Sequence, residues 1–298
     1  MAGASDPQAE HHHRIMSTGV DIHVAEWTSP ASPSAAVLLV PGTGSHMGYY
    51  GRFADALRRR GLHPFGVDFK GHGRSAGQRG VFTMSDMVQN AADAARFIRE
   101  RTGLPLGALG TSQGGEVAFH LLQRSDDVMA AVCHNILLST LHPINAKVRL
   151  LQSRPVGLAA RLMPWFPIPL QLAFNWNKAY LDPEFLAEKK KDPLAVWTYN
   201  LASYRSVFTT RPDVPPAANH KPVMVACGER DEIVPPAHCL RCFSALGGPK
   251  ELYVMPGAAH QLVIDYPDRF ADVVADFFRR HLTAAQGAGP VAGNAAHA

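Results

Sequence analysis

Short, unbroken apolar runs alternate along the chain with stretches in which apolar residues recur every three or four positions. Ala35 to Val40, His63 to Asp68, Leu104 to Leu109, Val128 to Leu138, Pro222 to Cys227 and Glu251 to Met255 read as strands, preceded by another short one at Asp21 to Glu26. Helical spacing is carried by Phe53, Ala54 and Leu57, by Met84, Met87, Val88, Ala91, Ala95 and Ile98, and by Phe270, Val273, Val274 and Phe277. Glu116 to Gln123 and Pro235 to Leu246 complete the set of helices. Strands that are apolar throughout are covered on both faces. Their alternation with helices predicts an α/β fold with a mostly parallel central sheet.

Between residues 141 and 207 the alternation stops. This stretch holds seven prolines and Trp165, Trp176 and Trp197, with helical pieces and no convincing strand, and it reads as an inserted helical cap over the carboxyl ends of the strands. Its apolar run Leu162 to Phe174 is too short and too interrupted by proline to span a bilayer. Lys189, Lys190 and Lys191 read as a solvated helix face. Residues 15–140 and 208–282 then form the core. Residues 1–14, with His11 to His13, and residues 283–298, mostly Ala and Gly, are expected to be disordered tails.

Composition narrows the class. Of 298 residues, 46% are hydrophobic and 18% charged, which suits a large buried core and excludes a disordered chain. The net charge of +4 is small and scattered, unlike the concentrated basic face of a nucleic-acid binder, so none is expected as a partner. The start lacks the apolar core of a signal peptide, and the four cysteines are expected to be reduced thiols in a cytoplasmic protein. His238, Cys239 and Cys242 lie close in sequence but fall short of four ligands, so no metal is expected.

Gly-x-Ser-x-Gly occurs twice, at Gly73 to Gly77 and at Gly110 to Gly114. A nucleophile elbow needs a strand leading in and a helix leading straight out. Ser112 has both, whereas Ser75 lies in a loop where glycines continue and no helix starts. A serine hydroxyl is a poor nucleophile until a base takes its proton. The loop after the strand ending at Cys227 offers Asp231, and the loop after the next strand offers His260, so an acid and a base follow the serine in order, each just past a strand end. Glu229 and Glu232 compete with Asp231 for the acid's place, Asp231 could instead cap the following helix, and His72 is a second candidate base. The oxyanion hole is expected from the backbone N–H of Gln113 and of Thr43, the latter between Gly42 and Gly44 in the loop after an early strand.

Together these residues resemble the α/β-hydrolase superfamily, in particular its monoacylglycerol lipase and lysophospholipase-like branch of serine aminopeptidase type, over about Asp21 to Leu282. The loop Asp68-Phe69-Lys70-Gly71-His72-Gly73-Arg74-Ser75-Ala76-Gly77 is similar to that branch's Asp-x-Arg-Gly-His-Gly-x-Ser-x-Gly segment, which is structural there. The branch also carries a helical cap after its sixth strand. Pro41-Gly42 stands where His-Gly is frequent, and Gly-Thr-Ser-Gln-Gly where Gly-His-Ser-Met-Gly is frequent; neither changes a triad atom. The resemblance implies a cofactor-free serine esterase acting on small or lipid-derived esters, as a monomer or homodimer. Trp165, Phe166, Phe174 and Trp176 of the cap are expected to line an acyl channel or touch a lipid surface transiently, with packing of the cap's own core as the alternative for any one of them. A peptidase, a thioesterase, an acyltransferase or a non-catalytic binding protein are the alternatives.

Overall fold

The computed structural model describes residues 10–29, 32–172 and 174–282. Eight strands form one sheet: β1 (Glu10–Ser17), β2 (Val20–Trp27), β3 (Ala35–Val40), β4 (Leu62–Val67), β5 (Leu106–Thr111), β6 (Val128–His134), and, beyond the insertion, β9 (Val223–Gly228) and β10 (Lys250–Met255). Their order in space is β1-β2-β4-β3-β5-β6-β9-β10, with β1 and β2 antiparallel to their neighbours and the remaining pairs parallel. Every residue of β3, β5 and β9 is buried, as strands covered on two faces must be.

The two faces carry separate apolar layers. On one side α2 (Met84–Thr102), α3 (Gln113–Arg124) and α8 (Pro236–Ala245) pack through residues such as Met87, Ala91, Val117, Leu121 and Cys242. On the other, α1 (Gly51–Arg58), α9 (Leu262–Asp265) and α10 (Pro267–Leu282) bury Phe53, Leu57, Leu262, Phe270, Val274 and Phe278. Local chemistry sets the bounds of these helices. Thr83 and Asp86 form a reciprocal capping box at the start of α2, and Gly103 at φ 65° ends it in a left-handed turn.

Three expectations need correcting. Residues 10–14 belong to an edge strand and are not part of a tail. Thr18 and Gly19, both at positive φ, turn the chain tightly so that Ile15 pairs with Ile22, and the cross-strand pair His13–Glu26 closes at 2.6 Å. Residues 1–9 and 283–298, also expected to be tails, lie outside the described residues. Strand β5 is shifted two residues from its expected start and runs directly into Ser112, while β6 stops at His134 because Asn135 takes φ 54°.

The insertion between β6 and β9 contains α4 (Ala146–Leu151), α5 (Arg154–Leu162), α6 (Pro183–Lys191) and α7 (Leu201–Thr209). It also holds two short strands that its prolines had obscured, β7 (Pro167–Pro169) and β8 (Thr198–Asn200), paired antiparallel with Ile168 opposite Tyr199. Lys189 departs furthest from its expected solvated role. It is buried, on the same inward face of α6 as Leu186, while Lys190 and Lys191 are exposed.

Candidate active site

The turn from β5 into α3 is sterically tight enough to exclude side chains. A Cβ on Gly110 would sit 1.9 Å from the Gly114 carbonyl oxygen, and one on Gly114 would sit 2.4 Å from that of Val40. Ser112 between them holds φ 55° and ψ −117°, a strained conformation for a residue with a side chain. Its own amide donates to the His134 carbonyl at 2.8 Å, which ties the elbow to the end of β6. The N-terminus of α3 therefore points at the serine.

Asp231 and His260 meet across the carboxyl ends of β9 and β10. His260 Nδ1 donates to Asp231 Oδ2 at 2.7 Å, and both side chains are almost fully buried. The other carboxylate oxygen accepts from the amides of Ile233 and Val234, each at 2.8 Å, so Asp231 both orders its loop and holds the imidazole. With Nδ1 carrying the proton, Nε2 is left as the basic nitrogen. The competing carboxylates are otherwise engaged: Glu229 accepts from the Gly257 amide at 2.7 Å, and Glu232 pairs with Lys178 at the surface.

Ser112 and His260 line one cavity together with Gly42, Thr43, Ser45, Tyr50 and the insertion residues Phe174, Trp176 and Ala179. It encloses about 30 Å³ of free space. Roughly two waters would fill it. Gly42 brings its backbone against the elbow, where an added Cβ would lie 3.6 Å from that of Ser112. Thr43 Oγ1 donates to Gln113 Oε1 at 3.0 Å, joining the two segments whose amides were expected to form the oxyanion hole. Among the described residues, neither the Thr43 nor the Gln113 amide is used in a hydrogen bond.

The other serine and the other histidine do different work. Ser75 Oγ donates to the Asp68 carbonyl at 2.6 Å and accepts from the His23 amide at 2.8 Å, which locks the glycine-rich loop to β2. His72 is buried between the Lys70 carbonyl and the Tyr199 hydroxyl, and burial pulls its pKa down to about 4. Of the four cap residues expected to line an acyl channel or touch a lipid surface, Phe174 and Trp176 line the cavity and the other two do not. Trp165 is 69% exposed and Phe166 49% exposed, just before the β7–β8 ribbon.

Several neighbours of the site carry no sequence motif. Tyr50 hydrogen-bonds to Thr111 at 2.6 Å and accepts from the Gly42 amide at 3.3 Å, and burial raises its pKa to about 12, so it stays a neutral phenol. Asn135 donates to the His260 carbonyl at 2.7 Å. Its positive φ just past a strand was the one available signal, and it is invisible in sequence. His134 is wholly buried beside His260 and held neutral, its pKa lowered to about 3 by burial and then by its neighbour. No group of three or more side chains suited to a metal exists among the described residues.

The sequence model for serine aminopeptidase, S33, matches residues 31–267, which takes in the elbow, the insertion and both partner loops. The chain belongs to this family. Among its relatives, the monoacylglycerol lipase of Mycolicibacterium smegmatis is 26% identical over 274 residues, covering 89% of this chain and 95% of that protein. The human monoglyceride lipase is 30% identical over 118 residues, 38% of each chain. Two solved structures share the fold: monoacylglycerol lipase from Paleococcus ferrophilus, with TM-score 0.72 and 23% identity over 87% of this chain and 99% of that one, and a soluble variant of monoglyceride lipase from Saccharomyces cerevisiae, with TM-score 0.76 and 17% identity over 95% and 99%. The fold is that of an α/β-hydrolase, and the chain is similar to monoacylglycerol lipases that share it.

Proposed function

We propose that the protein hydrolyses carboxylic esters of the monoacylglycerol or lysophospholipid type through an acyl-enzyme on Ser112. The observation that carries this reading is the shared cavity: a serine on a strained elbow and an imidazole already bonded to a buried carboxylate open onto the same small space. His260 Nε2 takes the Ser112 proton as Oγ attacks the ester carbonyl, and Asp231 stabilises the imidazolium that forms. The Thr43 and Gln113 amides receive the oxyanion, where losing one donor of this kind costs about 3 kcal/mol. His260 then protonates the departing alkoxide and draws a proton from the water that frees the acid. No step calls for a metal or an organic cofactor.

The substrate class is supported by the similarity to monoacylglycerol lipases and by the cavity's wall of Phe174 and Trp176, where an acyl chain would lie once that segment withdraws. The inserted segment acts as a cap over the site. The four cysteines are free and buried, as in a chain that folds in a reducing cytoplasm. A series of p-nitrophenyl esters of increasing acyl length, assayed with the native enzyme, Ser112→Ala and Ser75→Ala, tests the reading. Turnover is expected to fall at least about 10⁴-fold in Ser112→Ala. Ser75→Ala should keep native kcat with a lowered melting temperature. Native turnover in Ser112→Ala would end the assignment, and a preference for amide substrates would move it to a peptidase.

A further inference from the structure

Lys189 is the most unusual cation of the described residues. It lies 2% exposed at the inner side of α6, with its Nζ 5.0 to 5.9 Å from the ring centres of Tyr49, Trp176, Tyr180 and Trp197. No carboxylate lies within ion-pair distance among the described residues. Its only hydrogen bonds there are to Ser45 Oγ at 2.7 Å and to Tyr180 Oη at 2.8 Å. Burying an ammonium without a counter-ion disfavours its charge. Desolvation pulls its pKa down to about 7 and only Asp192 opposes that. Aromatic faces offset part of the cost, but a Leu or Met would pack there with none.

What the ammonium touches gives it a use. Ser45 lines the cavity that holds Ser112, and its amide closes a turn on the Gly42 carbonyl at 3.1 Å, a turn that contains Thr43. The same loop is gripped by the insertion at three further points. Gly44 donates to the Tyr199 hydroxyl at 2.8 Å, its carbonyl accepts from the Val196 amide at 3.0 Å, and His46 bonds to Asp192 at 2.8 Å. Gly44, at φ 63°, makes this approach feasible, since an added Cβ would lie 2.2 Å from the Val196 carbonyl oxygen. Of these contacts, the one to Ser45 is the only one that comes from a buried charged side chain.

We propose that Lys189 is a positioning residue for the reaction: reaching from the insertion, it fixes Ser45 and thereby sets the Gly42–Ser45 loop whose Thr43 amide meets the oxyanion. The segment from Lys189 to Tyr199 is then a fixed part of the catalytic frame, and the cap's opening belongs to its other parts. The proposal rests on the serine-hydrolase reading above. It differs from a packing role in where the loss falls, because a displaced oxyanion donor weakens the transition state and leaves ground-state binding alone.

The test measures kcat and KM on p-nitrophenyl butyrate, and the Ki of an alkylboronic acid, whose adduct with Ser112 places a hydroxyl at the oxyanion position. Lys189→Met, Ser45→Ala and their double variant are compared with the native enzyme, each checked by its melting temperature. Lys189→Met is expected to lower kcat roughly 10- to 100-fold with KM within about twofold, and to weaken the boronate by a similar factor. Ser45→Ala should do the same, and the double variant should be no worse than the worse single one. Native kcat and Ki in a folded Lys189→Met, a loss confined to KM, or losses that multiply in the double variant would each overturn the proposal. Should Lys189→Met fail to fold, Ser45→Ala decides by the same readings. Native ester turnover surviving in Ser112→Ala overturns the underlying mechanism instead, a result the Lys189 and Ser45 variants cannot produce.

Discussion

One helical turn beyond the nucleophile, Glu116 is fully buried and neither of its carboxylate oxygens has a hydrogen-bond partner among the described residues. Burial raises its pKa to about 8, and the nearby Ser139 amide, which falls short of hydrogen-bond geometry, opposes this. At neutral pH the folded protein therefore holds this carboxyl protonated, while the unfolded chain ionises it near its ordinary value of 4.5. Between those two values the folded state binds the extra proton, so the group's contribution is intact below about pH 4.5 and is lost as pH rises toward about 8, by at most ~1.4 kcal/mol per pH unit. Glu116→Gln, which cannot ionise, should match the native melting temperature near pH 4.5 and exceed it at pH 8. Thermal melts of both proteins across that range check this, and parallel curves would show that Glu116 is solvated or paired when the protein is folded. In the sequence Glu116 read only as the first residue of a helix. Its burial follows from the packing of Gly114 and Gly115 against the sheet, which pulls the whole first turn of α3 inward.

At the level of elements, the elbow was legible because its requirements are local. A strand, a Gly-x-Ser-x-Gly turn and a helix are contiguous, and so are the loops that deliver Asp231 and His260. The elbow's tolerance is correspondingly narrow: Gly114→Ala drives a methyl group to 2.4 and 2.5 Å from the carbonyl oxygens of Val40 and Pro41. That substitution should lower the melting temperature and reduce kcat together, since relief of the clash moves Ser112 away from the Gly42 loop. Circular dichroism melts with kcat measured well below the transition check both, and native values for each would mean the turn has slack. Elements held by distant partners were not legible. Strand β1 carries Glu10, three histidines and an Arg, with no alternating apolar face, and it is a strand because β2 offers it a ladder and Glu26 a partner for His13. The β7–β8 ribbon likewise begins and ends in proline at β7, and only its pairing with Tyr199 across the insertion makes it a strand. Lys189 was hidden by the two solvated lysines after it. Its spacing of three from Leu186 was the available hint, but the aromatic residues that receive it come from several separate segments.

At the scale of the whole molecule, the candidate site is buried while a run of large apolar side chains in the insertion is exposed. Leu150, Leu158, Leu162, Trp165 and Leu172 are each more than half exposed, all on one side of the insertion in sequence, and α5 buries no residue at all. Lys147, Arg149, Arg154 and Arg161 are exposed among them. No helix among the described residues is long and apolar enough to cross a membrane. These apolar and basic side chains, exposed and close in sequence, are the ones that shallow seating on an anionic lipid surface would use, the apolar ones entering the headgroup boundary and the Lys and Arg residues facing phosphate. Such seating would also supply the force that withdraws Phe174 and Trp176 from a cavity too small for an acyl chain, since their apolar neighbours would exchange water for lipid. The Leu158→Ser/Trp165→Ser double variant separates this surface from the catalytic centre. It should bind vesicles of mixed neutral and anionic phospholipid roughly 10-fold more weakly or worse, with turnover of vesicle-borne monoacylglycerol falling in step. Its kcat on soluble p-nitrophenyl butyrate should stay native. Binding of the native enzyme should weaken with added salt, because the cationic share of the attraction is screened. Vesicle cosedimentation and the two assays in parallel decide the matter, and unchanged vesicle affinity in the double variant would return these side chains to the role of an ordinary exposed surface.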